Sequence, residues 1–155
     1  MSSNFDHKEA NKYPFLYAGM MATLIQIFLM VFTVSENSLF YGIYISFLLW
    51  MLSIVLWILG LLELKKSGKS NESGNYILTT KIVITGIYRF VRHPQYLAYI
   101  LFNMGIIFKV QSIPAVVCGI LAIVLLFAGI REEEKLLIAK FGDQYINYKK
   151  KTFIF

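Results

Sequence analysis

"LFYGIYISFLLWMLSIVLWILGLL", Leu39–Leu62, is 24 residues without a charge. A run of that length spans a hydrocarbon core with some tilt. Upstream, Pro14–Val34 is 21 uncharged residues, about 31 Å as a helix. Downstream come Pro94–Phe108, with 15 apolar residues, and Ile113–Ile130, with 18. The third run is short alone, but a packed hairpin tolerates a short span and Lys109 can snorkel outward. These runs predict an all-α integral membrane protein with about four transmembrane helices. Pro14, Pro94 and Pro114 each stand at the start of a run, where the missing N–H costs nothing.

Composition agrees. The 155 residues are 57% hydrophobic and 15% charged, with mean hydropathy +0.62, more apolar surface than a soluble domain of this size uses. No twin-Arg pattern, polybasic n-region or small-residue cleavage site precedes the first run, which is also too long for a signal-peptide core, so it reads as retained. Cys118 sits within an apolar run, has no cysteine to pair with, and reads as a buried, inert thiol.

The net charge of +6 is placed for a membrane surface rather than for nucleic acid. Fourteen of the 15 basic residues fall in the N-terminal tail, the 63–93 linker or the segment after Ile130; Lys109 alone falls on the other side. By the positive-inside rule both ends of the chain and the linker face the cytoplasm. Two units follow: an N-terminal helical hairpin, 1–62, and a C-terminal half, 63–155, that carries the polar chemistry.

Between the first two runs "SENS" (35–38) reads as a tight hairpin. In the linker, "KKSGKSNESGN" (65–75) reads as a mobile surface loop and "YILTTKIVITGIYRFV" (76–91) as an apolar segment lying against the membrane face. After the fourth run "REEEKLLIAKF" continues as an amphipathic helix with Leu136, Leu137 and Phe141 on one side, stopped by Gly142. "DQYINYKKK" then restarts from an Asp143 N-cap and ends in a basic cluster suited to anionic headgroups.

Two constellations carry chemistry. "TGIYRFVRHPQYLAY" (85–99) sets two arginines, a histidine and three tyrosines beside apolar runs, where charged and titratable groups are expensive unless used. Pro94 restricts His93 and fixes the helix start, holding His93 at the mouth of the bundle with Tyr96 in the first turn. The simpler reading is Arg92 on lipid phosphate within an aromatic belt. Glu132-Glu133-Glu134 is the second constellation. Acidic groups at a boundary otherwise rich in basic ones suit a cationic ligand; the simpler reading is a solvated helix face with Glu132 pairing Arg131.

Taken together the two stretches resemble the isoprenylcysteine carboxyl methyltransferase family, which is related to membrane phospholipid methyltransferases. Gly86, Tyr88, Arg92, His93, Pro94 and Tyr96 match the first half of its pattern, and Glu133, Glu134, Leu137, Phe141, Gly142, Tyr145 and Tyr148 the second. The resemblance covers about residues 79–150. It implies an integral-membrane enzyme that uses S-adenosylmethionine (SAM), with a cytoplasmic cofactor pocket formed by the C-terminal half. It also implies cofactor contacts at Tyr88, His93, Pro94, Gln95, Tyr96 and Glu133, and less directly at Ile82 and Val83. The SAM sulfonium and ammonium suit carboxylates and tyrosine faces. No metal-ligand cluster is visible.

This sequence departs from the family at Gly129, where family members commonly carry an arginine that contacts the substrate carboxylate. Arg131 is the nearest substitute for positioning substrate, at a different angle. The place of the motif at the membrane boundary leads to the expectation of a lipophilic or small acceptor bearing a carboxyl, amine, phenol or thiol. Two alternatives remain: an NADPH-dependent sterol-type reductase, which shares an RHP-like motif, or a non-catalytic lipid- or partner-binding protein of the same fold. Oligomeric state is not set by the sequence.

Overall fold

A computed structural model describes residues 14–32, 40–67 and 81–153. Within these, five helices account for nearly all of the chain: α1 (Pro14–Phe32), α2 (Phe40–Ser67), α3 (Pro94–Val110), α4 (Ile113–Phe141) and α5 (Asp143–Lys151), with a 3-10 turn over Gly86–Arg89. No strand occurs among the described residues; one isolated parallel bridge joins Val91 to Phe153.

Three helices, α1, α2 and α4, are long and apolar enough to cross a membrane. Sequence suggested four. The remaining one, α3, has 17 residues, about 25 Å of helix, short of a full hydrocarbon core. Large apolar side chains stand exposed along the three long helices, among them Met21, Phe28, Phe47, Met51, Val117 and Val124. Such surface is tolerated in lipid and not in water.

The packing order is not that of two sequential hairpins: α1 lies chiefly against α4, and α2 against α3, rather than α1 against α2. Polar groups join the helices inside the bundle. Thr23 Oγ1 donates to Asn103 Oδ1 at 3.0 Å, and Gln26 Nε2 donates to the carbonyls of Asn103 and Ala115 at 3.3 and 3.1 Å. These bonds tie α1 to both α3 and α4. On the other side Ser53 Oγ donates to Ala98 O at 2.7 Å and Trp50 Nε1 to Phe102 O at 3.3 Å, tying α2 to α3. Gly105 leaves room for the Trp50 indole, which a Cβ there would strike. Lipid offers apolar side chains as good a solvent as another helix does, so polar links and close approach matter more here than in water.

Several local expectations are corrected. Lys65–Ser67, read as loop, are the last residues of α2; residues 68–80 and the "SENS" link lie outside the described residues. Gly142, not Asp143, caps α5. At φ +55 it ends α4 through its N–H to Ile138 O at 2.8 Å, while its own carbonyl accepts from Tyr145 N at 3.1 Å. Asp143 falls instead in the first turn, where its charge suits the helix dipole. Leu137 is buried and Phe141 half-buried, but Leu136 is exposed, because the inward stripe runs through Leu137, Ile138 and Phe141. Cys118 is partly rather than fully buried.

Arg92 is the largest correction. Rather than reaching for lipid phosphate, it is 5% exposed. Its Nε donates to Glu134 Oε1 at 3.1 Å, and its Nη1 to the carbonyls of Lys149 and Thr152 at 2.9 and 2.6 Å. One side chain thus joins the start of α3 to α4 and satisfies carbonyls at the end of α5 that no intrahelical N–H reaches.

Two outcomes test this packing. Asn103→Leu should cost about 1–2 kcal/mol of stability in a denaturant titration of micelle-solubilised protein; an unchanged midpoint would contradict the network. Arg92→Ala should cost about 3 kcal/mol, and Arg92→Lys should recover little, because an ammonium cannot serve three acceptors in fixed directions. Full recovery by lysine would contradict the fork geometry.

Candidate active site

Pro94 sets the site in place. It occupies the first turn of α3, and His93 before it takes φ −126, ψ 63 as N-cap. The imidazole is thereby buried, 4% exposed, with its Nε2 lacking a hydrogen-bond partner and lying 3.7 Å from Glu134 Oε1. Tyr96, in the first turn, meets the His93 ring edge-on with centroids 5.5 Å apart. Its hydroxyl donates to Glu133 Oε2 at 2.7 Å. The two sequence constellations, separated by a helical hairpin, are in direct contact.

Neighbouring glutamates have different partners. Glu134 is neutralised: Arg92 holds one oxygen and Lys149 Nζ the other, at 2.6 Å. Glu133, 5% exposed, is bound by Tyr96, and no basic side chain among the described residues pairs with it. Neither belongs to a solvated face. Glu132 is half-buried, with Oε2 lacking a partner, and Arg131 is exposed.

These groups line a cleft of about 470 Å³. Its polar end holds Tyr88, Arg92, His93, Pro94, Gln95, Tyr96 and Glu133; its apolar walls come from Leu16, Tyr17 and Met20 of α1, Ile54 and Trp57 of α2, Phe102 of α3 and Leu126 of α4. The size falls in the range of small-molecule sites. Six of the nine residues expected at the site meet here: Tyr88, His93, Pro94, Gln95, Tyr96 and Glu133. The other three do not line the cleft. Val83 packs behind Tyr88 with Leu64, Ile82 packs on the Leu137–Tyr145–Tyr148 cluster, and Arg131 points to the exterior. The contribution of α1 and α2 was missed, because their cleft residues are ordinary apolar positions with no motif.

Tyrosines join α5 to the turn that carries Tyr88. Tyr148 donates to Tyr88 O at 2.6 Å, locking α5 onto the 3-10 turn. Burial, and next the Glu133 charge, pushes the Tyr88 phenol well up; burial does the same to Tyr145 and Tyr148. All three stay neutral across the working pH range. Gly129 is buried against α1, where a Cβ would make ordinary van der Waals contact with Leu16, 3.5 Å from its N.

The donor set fits SAM. A buried carboxylate without a counter-charge favours a cation. Aromatic faces beside it suit a sulfonium and a purine ring.

Comparison with known proteins bears on this directly. A curated relative, "Protein-S-isoprenylcysteine O-methyltransferase" of Schizosaccharomyces pombe, is 29% identical over an alignment 91 positions long that covers 54% of this chain. The match spans 39% of that protein's length. No solved structure matches. Residues 41–144, from the start of α2 to the start of α5, match the phospholipid methyltransferase family. With its apolar helices and this match over more than half its length, the chain is an integral membrane protein of the phospholipid methyltransferase family.

Proposed function

We propose that the chain is a SAM-dependent methyltransferase acting on a lipophilic or small acceptor at the cytoplasmic membrane face. The observation that carries this reading is Glu133, a buried carboxylate with a tyrosine partner and no basic one among the described residues, at the polar end of the cleft. When bound, SAM supplies an already activated methyl group on a sulfonium. The protein therefore needs no covalent nucleophile; it has to align the reactants and exclude water.

The residues divide accordingly. Glu133 holds positive charge, with Tyr96 fixing the carboxylate from one side. His93, buried and unbonded at Nε2, presents a polar atom to the same space. Tyr88, Pro94 and Gln95 close the polar end, while Ile82 and Val83 support the wall from behind. In this proposal residues 63–155 supply the cofactor half, and the helices of 1–62 supply the apolar wall along which the acceptor approaches from the bilayer. The α3 helix is the fourth crossing, made short by its packing in the bundle, and the asymmetry of basic residues keeps the cleft mouth cytoplasmic. Arg131, being exposed, is a weak candidate for positioning the acceptor. A carboxylate acceptor is the least supported class, because position 129 carries no arginine; amines, phenols and thiols are the classes left.

Purified protein in detergent micelles should bind SAM. Glu133→Gln, which keeps the shape and loses the charge, should weaken binding at least tenfold, roughly the worth of one charge-assisted contact. His93→Ala should also weaken it. Wild-type protein with no measurable SAM binding would end this reading.

A further inference from the structure

Glu63 belongs to neither sequence motif, yet its carboxylate joins the last turns of α2 to the chain that enters the site. Thr85 Oγ1 donates to Glu63 Oε1 at 2.5 Å, and Ser67 Oγ donates to the same oxygen at 2.7 Å. The two hydroxyl oxygens are 3.1 Å apart. Residues 67 and 85 flank the connection between α2 and the 3-10 turn, so one carboxylate clasps both of its ends.

The second carboxylate oxygen lies over the glycine that follows Thr85. A Cβ at Gly86 would lie 2.5 Å from Glu63 Oε2 and 2.7 Å from Cδ. Gly86 also has φ +56, a conformation that side chains disfavour. Backbone geometry thus favours glycine at residue 86, and a side chain there would also displace the Glu63 carboxylate.

From this clasp the 3-10 turn leads to the cleft. Tyr88 N donates to Thr85 O, and Phe90 N and Val91 N both donate to Ile87 O, each at 3.1 Å. The turn buries Tyr88 to 1% exposure against Leu64, the residue after Glu63. Adjacent residues of α2 therefore hold the same tyrosine in two ways: Glu63 through the turn's backbone, Leu64 through its ring. The Thr85 hydroxyl is drawn to Glu63 rather than capping the turn it precedes.

We infer that Glu63 is a positioning residue for the cofactor site, acting through the Thr85–Gly86 turn to hold Tyr88 at the cleft. The inference rests on the reading of that cleft as a SAM site, and it assigns a role to a residue some twenty positions upstream of the nearest motif.

The test has one arm that needs no ligand. Hydrogen–deuterium exchange on the ligand-free protein in micelles should show amides 88–91 exchanging at least tenfold faster in Glu63→Ala, with α3 and α4 unchanged. Unchanged exchange at 88–91 would overturn the inference whether or not the protein binds SAM. In the second arm, labelled SAM is titrated against wild type, Glu63→Ala, Thr85→Val, the double variant and Glu63→Gln. Each of the first two variants should weaken binding roughly tenfold, and the double variant no more than the worse single, since both break one link. Glu63→Gln keeps an acceptor for Thr85 and should stay within about threefold of wild type. Additive losses, or no recovery with glutamine, would overturn the assignment. Absence of wild-type SAM binding would strike the functional proposal instead and leave the exchange arm to judge the clasp.

Discussion

Arg92 and Glu134 meet at 3.1 Å with both side chains almost wholly buried, and the rest of the cleft is arranged around that contact. A buried ion pair is stable only when the remaining donors and acceptors also find partners. Here the guanidinium reaches two carbonyls near the end of α5, and the carboxylate takes Lys149 from the same helix. The pair thereby locks three elements, the start of α3, the C-terminal extension of α4 and the short α5. A helix of nine residues is marginal alone; tied at Arg92, Lys149 and Tyr148, it is held against the turn that carries Tyr88.

With Glu134 neutralised, the neighbouring residue is free for another task. Successive residues on a helix point about 100° apart, so if Glu134 faces the Arg92 clamp, Glu133 faces the cleft. One glutamate is structural and the other presents charge. Around it, the apolar walls are contributed by helices that pack on the C-terminal half rather than on each other, so the cleft is bounded by α1 on one side and α2 on the other. The polar links through Thr23, Gln26, Asn103 and Ser53 keep those walls at fixed spacing where apolar contact alone would distinguish poorly between helix and lipid.

Much of this is legible in the chain itself. The long apolar runs, the prolines at their starts and the Gly142 stop all correspond to observed features, because each depends on local chemistry. The meeting of 85–99 with 132–134 is legible in their complementary chemistry at one end of the bundle, and their joint resemblance to a family strengthens it. What escaped depends on three-dimensional partners. Arg92 looked like a lipid-facing charge because nothing nearby in sequence announces Lys149 O or Thr152 O as its acceptors. Ile82 and Val83 look like cleft residues until their partners, Leu137 and Leu64, are known. Glu63 carries no motif at all, and its role follows only from its contact with Thr85.

The central claim is that the cleft passes a methyl group to a lipophilic or small acceptor, and it depends on the unneutralised carboxylate of Glu133. Membranes containing wild-type protein or Glu133→Gln are incubated with methyl-labelled SAM, and lipids and small thiols are extracted and counted. The account predicts label in an extracted acceptor from wild-type membranes, reduced at least tenfold in the variant. Equal labelling from both membranes, or none above membranes lacking the protein, would contradict it.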